Sequence, residues 1–238
     1  PEIAAKGMVS GPEKLASEAG LSMLKRGGNA VDAAVATGFA LAVTLPRAGN
    51  LAGGGFMLVH LAKTDEQVFI DYREMAPASA SRDMFLNEDG TVNKQMAYNS
   101  PSAAGIPGTV AGMIHALENY GTLDLKTVIQ PAIELAEQGF RVPAALHLNL
   151  RAATKRLARN EEANRIYLAG TGTAPAMGSL FKQPDLAATL KRISDNGPDG
   201  FYNVKTAALI VEEMQRNCGL ITRSDLANYR ALERQPVR

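Results

Sequence analysis

The chain has 238 residues, enough for one substantial hydrophobic core, and its 25 basic and 24 acidic residues leave a formal charge of +1. No long run of one sign interrupts that mixture, so nothing supports a nucleic-acid partner or a charged membrane surface. Cys218 is the only cysteine, which excludes an intrachain disulfide and a multi-cysteine metal site, and the longest apolar stretch, 33–45, falls short of the roughly 20 residues of a membrane span.

In chain order, residues 12–26 predict a first helix, with Leu15, Ala19 and Met23 at four-residue spacing and Gly27-Gly28 as a stop. Asn29 predicts the N-cap of a second helix reaching about Val43, and Asp32 places a carboxylate near the positive end of its dipole. That helix is apolar on nearly every side and rich in alanine, so it is expected to be buried all round. Pro46 and the glycine-rich segment 48–55 lead into an apolar run at 56–62. After the turn KTDE, a second run at 67–73 completes a predicted hairpin. Both strands are apolar on both faces, which predicts a sheet covered on each side in a layered arrangement. Helices are expected at about 109–120, 125–138 and 204–217, with another starting at Pro143. Residues 164–184 read as a loop, and the tail as a short helix from Thr222 or Ser224 followed by an extended run.

Arg73 is the candidate that physical reasoning singles out. It is a guanidinium at the end of an apolar strand, two residues after Asp71, and burying such a charge costs several kcal/mol unless it is paired. Strand alternation sets Phe69, Asp71 and Arg73 on one face and Ile70, Tyr72 and Glu74 on the other. Two readings follow: a planar fork offered to a carboxylate ligand, or a structural ion pair with Asp71 or a neighbour. Gly53-Gly54-Gly55 precedes a strand where a phosphate loop needs a helix, so it reads as a place of close backbone approach. GIPGTVAG, 105–112, does open a helix and reads as a tight turn, with an anion site as the alternative. His60, His115 and His147 are scattered without metal-ligand spacing, and no G-x-S-x-G elbow occurs. Cys218 at a helix C-terminus reads as inert packing, and Pro1 as an N-terminal base finds no neighbouring site.

The segments GLSMLKRGGNAVDAAVATGFALAVTLPRAGNLAGGGFMLVH from Gly20 and DYREMAPASASRDMF from Asp71 are similar to the N-terminal half of bacterial γ-glutamyltranspeptidase large subunits. SAAGIPGTVAGMIHALENYGTL, VIQPAIELAEQGF, NGPDGFYN and GLITRSDLANYRALERQPV continue the resemblance in the family's order across nearly the whole chain. The resemblance implies an α+β fold, the αββα sandwich of an N-terminal nucleophile hydrolase, of which this chain supplies only part together with a large helical portion. Residues 1–76 would give core helices and a hairpin, and 77–238 a mainly helical region. It also implies a precursor that cuts itself into large and small subunits. A threonine at the new N-terminus of the small subunit then attacks the γ-glutamyl carbonyl of glutathione-like substrates, with its own amine as base. Water or an amino-acid or peptide acceptor resolves the acyl-enzyme, with no cofactor and no metal.

In that family the arginine of the motif reading DYREMAP here binds the α-carboxylate of the glutamyl group. That position is Arg73, and Glu74 beside it orients the arginine or meets the substrate amine. The chain stops where the family's large subunit continues, so the nucleophile and the oxyanion hole are expected outside it and the chain alone is expected to be inactive. An open sheet with unpaired edges and exposed apolar faces follows from the same truncation. The start lacks a signal-peptide pattern, which fits a segment already removed, and bacterial relatives are periplasmic or secreted. The alternatives are an acylase of the same fold acting on cephalosporin side chains or small amides, and a noncatalytic fragment or binding module.

Overall fold

The structure, a computed structural model, describes residues 4–236; Pro1 lies outside them. Two helices open the chain: α1 (Lys14–Lys25) and α2 (Ala30–Thr44). Between them Gly27 takes the left-handed φ of 88° that a stop of this kind needs. Asn29 closes a capping box: its side chain accepts from the Val31 and Asp32 amides, and Asp32 accepts from the Asn29 amide. With no polar stripe to turn outward, α2 becomes the spine of the core, packed against α1 and later helices.

The hairpin follows as β1 (Phe56–Leu61) and β2 (Glu66–Asp71), antiparallel, with Phe56 opposite Asp71. The rest is mostly helical: α3 (Lys94–Asn99), a 3-10 turn (Pro101–Ala103), α4 (Thr109–Tyr120) and α5 (Leu125–Gln138). Then come β3 (Phe140–Arg141), α6 (Ala144–Leu157), α7 (Glu161–Tyr167), β4 (Leu180–Phe181) and α8 (Pro184–Asn196). The chain closes with α9 (Asp199–Tyr202), α10 (Lys205–Arg216), α11 (Arg223–Asn228) and β5 (Leu232–Arg234). β5 returns to pair antiparallel with β2, giving the sheet order β1-β2-β5, while β3 and β4 form a separate small ribbon. α2 packs on α4 and α5, α5 on α8 and α8 on α9, so one apolar cluster runs from Ala16 to Tyr229.

Four expectations are corrected. The second strand ends at Asp71, two residues before Arg73, because beyond Tyr72, which pairs with Gly55, the chain leaves the hairpin to bridge Ile106 through Met75. Among the described residues the sheet is covered on one face only, against the two-sided cover that the strands' composition predicts and in keeping with the exposed apolar face expected of a partial sandwich. Met57, Val59, Val68 and Ile70 point into the core, whereas Phe56 and Leu58 on the other face are 50% and 61% exposed. Residues 164–184 contain the end of α7 and all of β4, whose Phe181 packs edge-on against Phe140. Cys218 is exposed, not packed: it follows α10 with φ 57°, and this left-handed turn carries its side chain off the helix.

Candidate functional site

Two glycine-bearing segments lock together around residues 72–75. The Gly53 carbonyl accepts from the Gly108 and Thr109 amides at 2.7 and 3.0 Å, and the Asn50 side chain accepts from Gly53 N and Thr109 Oγ1. The Gly108 and Thr109 amides are thus taken by backbone and the Ala111 amide by the Tyr202 hydroxyl, which makes the 105–112 segment a helix-starting turn and leaves little of the α4 N-terminus for an anion. Glycine is required here because the backbones nearly touch. A Cβ at Gly108 would overlap the Tyr72 carbonyl oxygen and the Tyr229 hydroxyl, and one at Gly54 would press on the Glu74 amide.

Arg73 emerges from this knot on the surface. Its amide donates to Asp71 Oδ1 at 3.1 Å and its carbonyl accepts from the Tyr229 hydroxyl at 2.8 Å. Two residues on, Met75 and Ile106 exchange both backbone hydrogen bonds, and the Ala78 amide donates to Asp225 Oδ1 at 3.0 Å. The segment is thus fixed at four points. The Asp71 carboxylate pairs with Arg234, whose Nε lies 2.7 Å from Oδ2. Among the described residues no ion pair or hydrogen bond engages the Arg73 guanidinium, and Asp71 feels it only as a charge at longer range. The Arg73 amide and then the Arg234 guanidinium hold the Asp71 carboxyl below its ordinary range. Glu74 is also exposed, beyond the regular strand, with its side chain against the backbones of Gly54 and Gly105.

The remaining candidates do not converge on this place. His60 lies 3.9 Å from Asp65 across the hairpin turn, and His147 Nδ1 is 2.8 Å from the Pro175 carbonyl. His115 Nε2 sits 2.8 Å from Glu233, which also accepts from the Tyr120 hydroxyl at 2.6 Å, an α4–β5 contact with no local signal in the sequence. Among the described residues no serine, threonine or cysteine is hydrogen-bonded to a histidine, and no three metal-ligating side chains gather. No helix among them is long and apolar enough to cross a membrane. The residues that reasoning from sequence missed are Tyr229 and Asp225, which reach the arginine segment from the far end of the chain.

The gamma-glutamyltranspeptidase family model matches residues 16–238. The chain belongs to the γ-glutamyltranspeptidase family. It is 47% identical over 237 residues to the glutathione hydrolase proenzyme of Escherichia coli K12, covering 100% of this chain and 41% of that relative. The chain thus spans about two-fifths of the length of the curated relatives it matches. The crystal structure of Helicobacter pylori γ-glutamyltranspeptidase superposes with a TM-score of 0.96 at 43% identity, covering 100% of this chain and 68% of that one. An acylase ACY 1 proenzyme of Pseudomonas sp. SE83 is 38% identical over 100% of this chain and 43% of its own length. The fold is α+β, part of the N-terminal nucleophile hydrolase sandwich that γ-glutamyltranspeptidases share.

Proposed function

We propose that this chain is the front part of the large subunit of an enzyme that transfers γ-glutamyl groups and hydrolyses glutathione and other γ-glutamyl compounds. The observation that carries the reading is an exposed guanidinium, Arg73, with no partner among the described residues, rising from a backbone fixed on both sides. A planar fork held ready in this way suits the α-carboxylate of a glutamyl group, which it can grip with two parallel hydrogen bonds. Glu74 beside it faces the substrate's α-amine.

On this reading the nucleophile is a threonine hydroxyl outside these 238 residues, at the N-terminus of the protein's own small subunit after self-cleavage. The hydroxyl oxygen bonds to the γ-carbonyl carbon, the amide C–N bond breaks, and the leaving amine takes the proton through the threonine's own amine. The resulting ester passes its glutamyl group to water or to an amino-acid or peptide acceptor. This route needs no cofactor. The small subunit also supplies the layer for the open sheet face around Phe56 and Leu58. The enzyme works in the periplasm or outside the cell, and the isolated chain is inactive.

The ACY 1 match supports a second reading, an amide acylase whose arginine grips a dicarboxylate side chain. Hydrolysis of γ-glutamyl-p-nitroanilide and glutaryl-p-nitroanilide by the complete processed protein and by the 238-residue chain separates the readings. Turnover of the glutamyl compound by the complete protein alone is expected. Preference for the glutaryl compound favours the acylase, and turnover by the isolated chain contradicts the placement of the nucleophile.

A further inference from the structure

We propose that Tyr229 is a positioning residue for Arg73, holding through its hydroxyl the backbone from which the guanidinium reaches the glutamyl carboxylate; this rests on the γ-glutamyl reading above. An exposed arginine whose side chain has no partner among the described residues owes its aim to its backbone. Both polar backbone groups of Arg73 are taken, the amide by Asp71 Oδ1 at 3.1 Å and the carbonyl by Tyr229 at 2.8 Å. Asp71 is itself tied to Arg234 on β5, and Tyr229 ends α11, so both holds come from the returning tail of the chain. That tail touches the arginine segment at each end of one short helix: Asp225 takes the Ala78 amide near the start of α11 and Tyr229 takes Arg73 just past its end.

The tyrosine cannot swing away. It is 4% exposed, and its ring lies parallel to that of Tyr202, with centroids 5.9 Å apart and planes 5° from parallel. Tyr202 is anchored in turn by donating to the Pro107 carbonyl at 2.9 Å. The Tyr229 hydroxyl passes over Gly108, where only a glycine leaves room for it. Burial, reinforced by the charges of Asp71 and Glu74, pushes this hydroxyl up to about 12, so it stays a proton donor throughout the neutral range. The buried tyrosine therefore sets where a surface arginine begins, and an error of one ångström there is enough to misplace a bidentate grip.

Tyr229→Phe keeps the ring and its stack and removes only the hydroxyl. In the complete processed enzyme, with γ-glutamyl-p-nitroanilide, KM should rise roughly three- to tenfold, the size of one ordinary hydrogen bond, with kcat within about twofold. Combined with Arg73→Ala, the change should add nothing, because the residue it positions is gone. Tyr120→Phe, which removes a tyrosine hydroxyl that donates to the Glu233 carboxylate and not to the arginine segment, should leave KM alone. An unchanged KM in Tyr229→Phe, or full additivity with Arg73→Ala, overturns the proposal. Should Tyr229→Phe fail to mature, Asp71→Ala releases the other hold on Arg73 and must raise KM in the same way; an unmoved KM there overturns the proposal too. A wild type inert toward γ-glutamyl donors contradicts the γ-glutamyl reading itself, whereas an active wild type with an unmoved KM in the variants contradicts the positioning role alone.

Discussion

Asp71 forms its ion pair with Arg234, 163 residues away, and offers Arg73 an acceptor for its backbone amide. The pair ties β5 to β2 at the sheet edge, where Leu232 stands opposite Asp71. Arg234 is about half exposed, so the pair contributes little by itself. Arg234→Ala should cost less than about 1 kcal/mol of stability in urea unfolding. A much larger loss would show that β5 docking depends on this contact.

A second carboxylate contributes more. Asp32 is fully buried and accepts from the Asn29, Thr122 and Leu123 amides and the Thr122 hydroxyl, joining the start of α2 to the α4–α5 turn. Burial alone would raise its pKa, but these four donors outweigh burial and hold the carboxyl below its ordinary value. A depressed folded pKa means that the stabilisation is present above about pH 4 and lost as pH falls through the folded value. Asp32→Asn should cost about 2–3 kcal/mol at pH 7, and the gap to wild type should narrow below about pH 4 in urea unfolding followed across pH.

The open sheet face makes a prediction for the isolated chain. Phe56 stacks on Phe69 with centroids 5.5 Å apart, and Leu58 and Leu232 stand exposed nearby, an apolar face of the kind that binds hydrophobic dyes or self-associates. Leu58→Thr should reduce dye fluorescence and association, measured by sedimentation, with the helical circular dichroism unchanged. An equal signal from the variant would locate the sticky surface elsewhere.

Helices with strong punctuation were legible in the sequence: Asn29 and Asp32 mark the start of α2, Gly121 and Gly139 the ends of α4 and α5, and Thr222 the cap of α11. Helix α8 was not, because its buried stripe is only Ala187, Leu190 and Ile193 within an otherwise polar segment. The strands alone do not reveal the uncovered sheet face, since apolar residues on both faces record a cover without saying which part of a protein brings it; only the family resemblance points to it. The end of β2 was misplaced for a related reason: Tyr72 keeps strand chemistry, but the turn toward Ile106 is a tertiary decision. Arg73 was legible as a charge closing an apolar run. Tyr229 was invisible, because a hydroxyl bonded to a backbone carbonyl 156 residues away leaves no local pattern.

The role of Arg73 is tested most directly by γ-glutamyl-p-nitroanilide hydrolysis by the complete processed enzyme with and without Arg73→Ala, after confirming that both self-cleave. An arginine that grips the glutamyl carboxylate requires a KM at least tenfold higher in the variant, the loss of a charge-assisted contact, with self-cleavage intact. An unchanged KM would contradict that role, leaving Arg73 a surface arginine and the glutamyl carboxylate bound elsewhere.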